Sequence, residues 1–212
     1  SLTTPSHGKI FLRAASADLW SRRNARYTAR AVLERIDAGL LSGSEDLGAL
    51  TLLTDIRGQG FDLSSAQAEI SASIPLLEFK GYSYTGIGLS ARLREGTLTA
   101  ETAVEDPNLV VKASAEVRKG ASREDPLQGS LDIYLDKSDL HALGLVRDSI
   151  VNVRGTIQAQ AQGKNLDDLT GTLSFSEMSY NSAGRYYYID RILVQSQAVD
   201  SLRRRLSVES DG

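Results

Sequence analysis

The stretch Ala66-Gln67-Ala68-Glu69-Ile70-Ser71-Ala72-Ser73-Ile74 places an apolar side chain at every second position and a polar one in between. Successive side chains of an extended chain point to opposite sides, so this spelling predicts a strand with one dry face and one wet face. It returns in Leu109, Val111, Ala113, Ala115 and Val117, set against Lys112, Ser114 and Glu116. It returns again in Val151, Val153, Ile157, Ala159 and Ala161, set against Asn152, Arg154, Thr156, Gln158, Gln160 and Gln162. Shorter copies are Leu131, Ile133, Leu135 and Leu169, Leu173, Phe175. Strands of a parallel sheet covered by helices are buried on both faces and read as continuous apolar runs; one-sided strands belong to antiparallel sheets. The pattern therefore predicts a mainly β, antiparallel protein and argues against a doubly wound α/β fold.

Helix signals are sparse. Ser138-Asp139-Leu140-His141-Ala142-Leu143-Gly144 reads as one or two capped turns ended by Gly144, and Asn165 to Leu169 as a similar short turn. Ser16 to Leu41 is ambiguous between a helix with Arg22, Arg26 and Arg30 on one stripe and a strand pair in which Tyr27, Ala29, Ala31 and Leu33 alternate. The alternation favours strand from about Tyr27 onward.

A degenerate internal repeat supports that choice. Asp62-Leu63-Ser64-Ser65-Ala66-Gln67-Ala68-Glu69-Ile70-Ser71 aligns with Asn165-Leu166-Asp167-Asp168-Leu169-Thr170-Gly171-Thr172-Leu173-Ser174, and Leu50 and Ile56 align with Val153 and Ala159. After a one-residue slip, Tyr82 and Tyr84 fall on Tyr186 and Tyr188, and Val104-Glu105 on Val208-Glu209. The repeat predicts a partial unit over residues 1–60, a complete unit over 61–162 and a truncated one over 163–212, together one continuous elongated domain. A chain that ends inside a repeat is expected to be a piece of something longer.

Composition narrows the function classes. The chain has 212 residues, 41% of them apolar, and a formal charge of −3. Leu, Ile, Val and Phe make up about a quarter of it, enough to fold. No apolar run approaches the roughly 18 residues of a membrane helix, and Ser1 to Ser16 lacks the layout of a secretory signal. With no Cys there is no disulfide framework, thiolate nucleophile or zinc ribbon. A near-balanced charge argues against a nucleic-acid partner.

Each potential site has a simple structural explanation. Gly86-Ile87-Gly88-Leu89-Ser90-Ala91 matches a phosphate-binding string, but Ile87, Leu89, Ala91 and Leu93 alternate at strand period where that string needs a helix. The two histidines, His7 and His141, make no metal motif, and no G-x-S-x-G occurs. Asp167-Asp168 fits the first turn of a short helix, where the dipole favours negative charge, better than a glycosidase pair; Asp132 with Asp136 is the other carboxylate pair considered. Arg203-Arg204-Arg205 and Arg22, Arg23, Arg26 read as solvated faces, with contact to an anionic surface the lesser option. Tyr186-Tyr187-Tyr188 suits cross-strand packing or guarding of an edge. The expectation is a protein without catalysis, cofactor or metal.

Several strings resemble the TamB and AsmA-like proteins of Gram-negative envelopes, with the flavour of the Bacteroidetes versions. They are Gly81-Tyr82-Ser83-Tyr84-Thr85-Gly86-Ile87 to Leu93, Glu95-Gly96-Thr97-Leu98, Glu105-Asp106-Pro107-Asn108-Leu109, Asp139-Leu140 with Leu143-Gly144-Leu145, and Asn165 to Leu173. Together they span about Asp62 to Val194. The resemblance implies a periplasmic segment of a long chain anchored in the inner membrane, built as a folded-over, taco-like or solenoid-like antiparallel sheet with an apolar groove and one or two short helices. It implies an outer-membrane barrel partner in a translocation and assembly module, phospholipid movement between the two membranes, and no catalytic residues.

On that reading the groove-lining candidates are Ile70, Ile74, Leu109, Val111, Ala113, Ala115, Leu131, Ile133, Val151, Val153, Ile157, Ala159, Leu173 and Phe175. Their expected partners are phospholipid acyl chains. A nascent outer-membrane protein added to an open sheet edge is a second option. The rival classes are a packed structural spacer or adhesin, and a β-helical carbohydrate-active enzyme with acids, Arg and Lys clustered on one solvent face.

Overall fold

Hairpin chemistry sets the topology. Lys80-Gly81, Glu95-Gly96 and Ala183-Gly184 each place two consecutive residues at positive φ (50° and 79°, 48° and 75°, 49° and 77°), the backbone of a tight turn whose twist matches that of the flanking strands. A fourth two-residue loop, Pro107-Asn108, uses proline's fixed φ. Strands joined this way pair with their sequence neighbours, and the whole chain follows as one antiparallel meander.

The structure is a computed structural model and describes residues 2–3, 8–18, 24–61, 66–120, 122, 125–147, 149–164, 169–199 and 203–211. Its strands are β1 (Leu2–Thr3), β2 (Lys9–Ala17), β3 (Arg26–Asp37), β4 (Leu47–Gln59), β5 (Gln67–Phe79), β6 (Tyr82–Tyr84), β7 (Ile87–Arg94), β8 (Thr97–Asp106), β9 (Leu109–Arg118), β10 (Leu127–Ser138), β11 (Ile150–Gly163), β12 (Thr170–Ser182), β13 (Arg185–Ala198) and β14 (Arg204–Asp211). Thirteen lie side by side in chain order, and β6 pairs with β5 off that path. The sheet is open, since β14 pairs with β13 alone. Apart from helix α1 (Ala38–Ser42) against β4, substantial contacts among the described residues run only between strands adjacent in the sheet.

The predicted strand after Tyr27 is β3. What the sequence reading missed is α1, which Asp37 caps by accepting the Leu40 N–H at 2.9 Å and Gly43 ends at φ 73°. The turn predicted at Ser138–Gly144 forms, but Asp139 is its cap, accepting from Ala142 N at 2.8 Å, while Ser138 ends β10 and is buried. Gly86 stands at φ 64° just before β7, as a strand-leading glycine rather than a phosphate loop. β5 and β12 are both 13 residues long and begin and end 103 positions apart, the offset at which Asp62–Ser71 aligns with Asn165–Ser174. The turn assigned to Asn165–Leu169, with Asp167 and Asp168, lies outside the described residues except for Leu169, which precedes β12; His7, Arg22, Arg23 and Asp62–Ser65 lie outside them entirely.

Among the described residues every strand belongs to one sheet and α1 is the single helix, so no separate element forms a second layer. The chain exposes 14463 Å², against about 9,600 Å² for a compact monomer of this mass. Buried apolar side chains are few, and most gather where strands end along one rim: Ile36 in β3, Tyr84 in β6, Val104 in β8, Val153 in β11 and Leu143 in the turn after β10. Ala25 and Ala66 mark the opposite rim. The first rim is the thicker one because α1, β6 and the turn at residues 139–147 are all inserted there.

Candidate functional site

Register decides whether fourteen separate alternations add up to one surface. Ala14, Ala29, Ile56, Ile70, Ala91, Ala100, Ala115, Leu131, Ala159, Leu173, Val194 and Val208 are successive cross-strand partners from β2 to β14. All twelve are apolar. At the usual strand spacing this row is about 50 Å long. Two residues along, a second row runs Leu12, Ala31, Thr54, Ala72, Leu89, Thr102, Ala113, Ile133, Ile157, Phe175 and Ile192, interrupted only by two threonines. Ile74, Ile87, Val104, Val111 and Leu135 begin a third row.

Of the residues predicted to line a groove, Ile70, Ala115, Leu131, Ala159 and Leu173 share the first row, Ala113, Ile133, Ile157 and Phe175 the second, and Ile74 and Val111 the third. Leu109 sits farther out, at the rim, opposite the buried Asp106 and Ser138. Val151 and Val153 lie beyond a stretch where β11 bulges, with Asn152 at φ 54° and Gly155 at φ 149°, so strict alternation does not carry through them; Val151 is half-buried and Val153 is buried in the rim. Ala100 and Val194 belong to the first row but were not singled out from the sequence, and Ala29 was read as part of an alternating strand but not as lining. Alternation marks such residues one strand at a time, and only the pairing joins them.

Strand by strand, most of the dry face is half-buried from β3 to β13, with Leu89, Leu98 and Val117 exposed, and no separate described element forms a layer on it. At both ends it is open: Leu12 is exposed on β2, and Val208 on β14. The wet face is ordered differently. Over β3 to β8 it carries ion pairs, with Glu69 bound by Arg92 and Arg94 at 3.2 and 3.0 Å, which hold its carboxyl below the usual range, and Arg30 at 3.8 Å from Asp55. Over β9 to β13 it is mostly neutral. Four shallow depressions open on this wet face.

The built-up rim is tied by one buried carboxylate. Asp106, 3% exposed, accepts from the Tyr82 hydroxyl, from Thr85 N at 3.0 Å, from Thr85 Oγ1 at 2.9 Å and from Asn108 N at 2.9 Å. Burial pushes this carboxyl up, but the Tyr82, Asn108 and Thr85 hydrogen bonds outweigh it and hold the group below its ordinary value. The Tyr82 hydroxyl is pushed up by burial and by the same bond. This node joins two of the strings quoted for the family resemblance, Gly81–Ile87 and Glu105–Leu109, through side chains that sequence alone left unassigned.

The tyrosine run divides between the faces. Tyr187 stacks on Tyr180 with centroids 4.9 Å apart, which is the predicted cross-strand packing, and all three tyrosines of the run are exposed, Tyr187 least. That end of β13 extends past β14, whose pairing covers only Arg191–Ala198. His141 is exposed, and among the described residues no cluster of three or more His, Asp or Glu could hold a metal ion. No described helix is long and apolar enough to cross a membrane. No family model matches the chain, and no match is found among curated proteins or solved structures.

Proposed function

We propose that the chain is a periplasmic segment of an inner-membrane-anchored TamB/AsmA-like envelope protein, and that its dry face carries phospholipid acyl chains between the inner and outer membranes. One observation carries this reading: the uninterrupted apolar row from Ala14 to Val208, matched by register across twelve strands of a single sheet on which no separate described element forms a second layer. Contiguous exposed apolar surface on this scale marks an interaction surface.

Acyl chains suit such a surface because the interaction is non-directional. Moving a sixteen-carbon chain into water costs about 12 kcal/mol, and a greasy track about 50 Å long removes most of that barrier while offering no single tight site. Rows with few hydroxyls give a sliding lipid little to bond to. Participation in outer-membrane protein assembly, together with a barrel partner, belongs to the same proposal through the family resemblance.

The test is photo-crosslinking in cells from a photoreactive side chain at Val111 or Ile157, on the dry face, and at Gln158, on the wet face. Phospholipid adducts from the first two and not the third are expected. Ala113→Trp and Ala159→Trp, which roughen the track, are expected to weaken envelope lipid traffic and barrier function. Adducts only to unfolded outer-membrane polypeptide would move the assignment to protein assembly; no adducts from either dry-face position would end the conduit reading.

A further inference from the structure

A depression of about 640 Å³ on the wet face crosses β9 to β13, with a lining that is neutral apart from one ion pair. Five of the chain's eight glutamines, Gln128, Gln160, Gln162, Gln195 and Gln197, line it. Register places four of them in two parallel rungs: Arg118, Gln128, Gln162 and Thr170 are successive partners in one, and Glu116, Ser130, Gln160, Thr172 and Gln195 in the other. The only charges in the lining, Glu116 and Arg118, satisfy each other at 2.7 Å.

We propose that this depression binds a neutral, hydroxyl-rich glycan chain laid across the strands. Each glutamine amide presents two donors and an acceptor, and each Ser or Thr hydroxyl can do either, so the rungs form a mixed donor–acceptor grid. None of the five amides makes a side-chain hydrogen bond to a described residue, whereas Gln158, outside the depression, is engaged by Asp132 at 2.8 Å. Within the lining an anionic ligand would meet a single arginine that is already paired, with Arg205, the β14 partner of Gln197, standing at its margin. An apolar ligand would strip water from the amides and return no bond. A chain of hydroxyls returns a bond for each one lost, and the grid spans about 20 Å, room for several sugar units. With no aromatic platform in the lining, affinity rests on these bonds and is insensitive to salt.

This site is on the opposite face from the proposed lipid track, and neither reading depends on the other. The experiment is an NMR titration of the isotope-labelled chain with cellotetraose and, separately, chitotetraose, following the glutamine side-chain amide resonances. Saturable shifts at the lining glutamines with at least one probe by about 10 mM are expected, the range of weak but specific binding. Gln160→Ala combined with Gln195→Ala removes one exposed and one half-buried partner without touching a buried group, and should weaken that binding about tenfold. Gln158→Ala should leave it unchanged, and raising the salt should not weaken it. Absence of shifts with both probes, shifts confined to dry-face residues such as Ile133, equal affinity in the double variant, or preference for an uncharged peptide over both sugars would each overturn the proposal.

Discussion

Asp106→Ala is the substitution that weighs most on the thick rim. The carboxylate is 3% exposed and accepts four hydrogen bonds from three residues, so alanine leaves the Tyr82 hydroxyl, the Thr85 N–H and hydroxyl, and the Asn108 N–H without their acceptor. A hydrogen bond to a charged group contributes about 1.5–3 kcal/mol, but these four share one acceptor and lie at a rim that water can enter. The expected loss is therefore about 3–5 kcal/mol, the range for breaking a buried charged interaction. In urea unfolding followed by far-UV circular dichroism, that lowers the midpoint by about 1–2 M.

The same node carries a pH signature. Because the folded carboxyl titrates below its unfolded value of about 3.9, its stabilisation is fully present above that pH and is lost as the pH falls through the lower folded value. Wild type should therefore lose more stability than Asp106→Asn between about pH 5 and pH 2. A midpoint within about 0.2 M of wild type for Asp106→Ala, or identical acid profiles for wild type and Asp106→Asn, would refute the assignment of Asp106 as the tie of this rim.

Three further outcomes test the one-layer sheet. Leu143→Ala, at a side chain 1% exposed, should cost about 2–4 kcal/mol in the same unfolding assay, whereas Ile70→Ala on the uncovered face should cost only about 1 kcal/mol; equal losses would mean that the dry face is covered in solution. Gly171→Ala should destabilise by more than about 2 kcal/mol, because a Cβ there would stand 2.0 Å from the Gln160 carbonyl oxygen at a φ of +155°, while Gly43→Ala, which meets open space, should cost about 1 kcal/mol for its φ of +73° alone. An apolar dye that brightens on hydrophobic surfaces should bind the native chain, and Leu131→Glu with Ile133→Glu should reduce its signal; a native chain that leaves the dye dark would argue against an open apolar face.

Alternation is a property of one strand at a time, which is why Ala66 to Ile74 and Leu109 to Val117 disclosed a two-faced, antiparallel protein before any pairing was known. The turn at Asp139–Gly144 was legible for the same reason: its cap and its glycine are neighbours in the chain. The α1 turn escaped because five residues carry too little periodicity to register against the β pattern around them. Val153 was read onto the dry face because its spacing is right, but positive φ at Asn152 and Gly155 bulges the strand, a backbone event that spacing does not encode.

Which residue faces which is a matter of register, and register is settled jointly by turns and bulges along the whole meander. Only the tertiary structure could draw Tyr82, Thr85, Asp106 and Asn108 around one carboxylate, or line up Gln128, Gln160 and Gln195 from three strands in one depression. The chain by itself determined that every strand would have a dry side and a wet side. The folded sheet decided that the dry sides form one continuous surface, because each residue contributes its direction locally while a surface exists only once neighbouring strands agree.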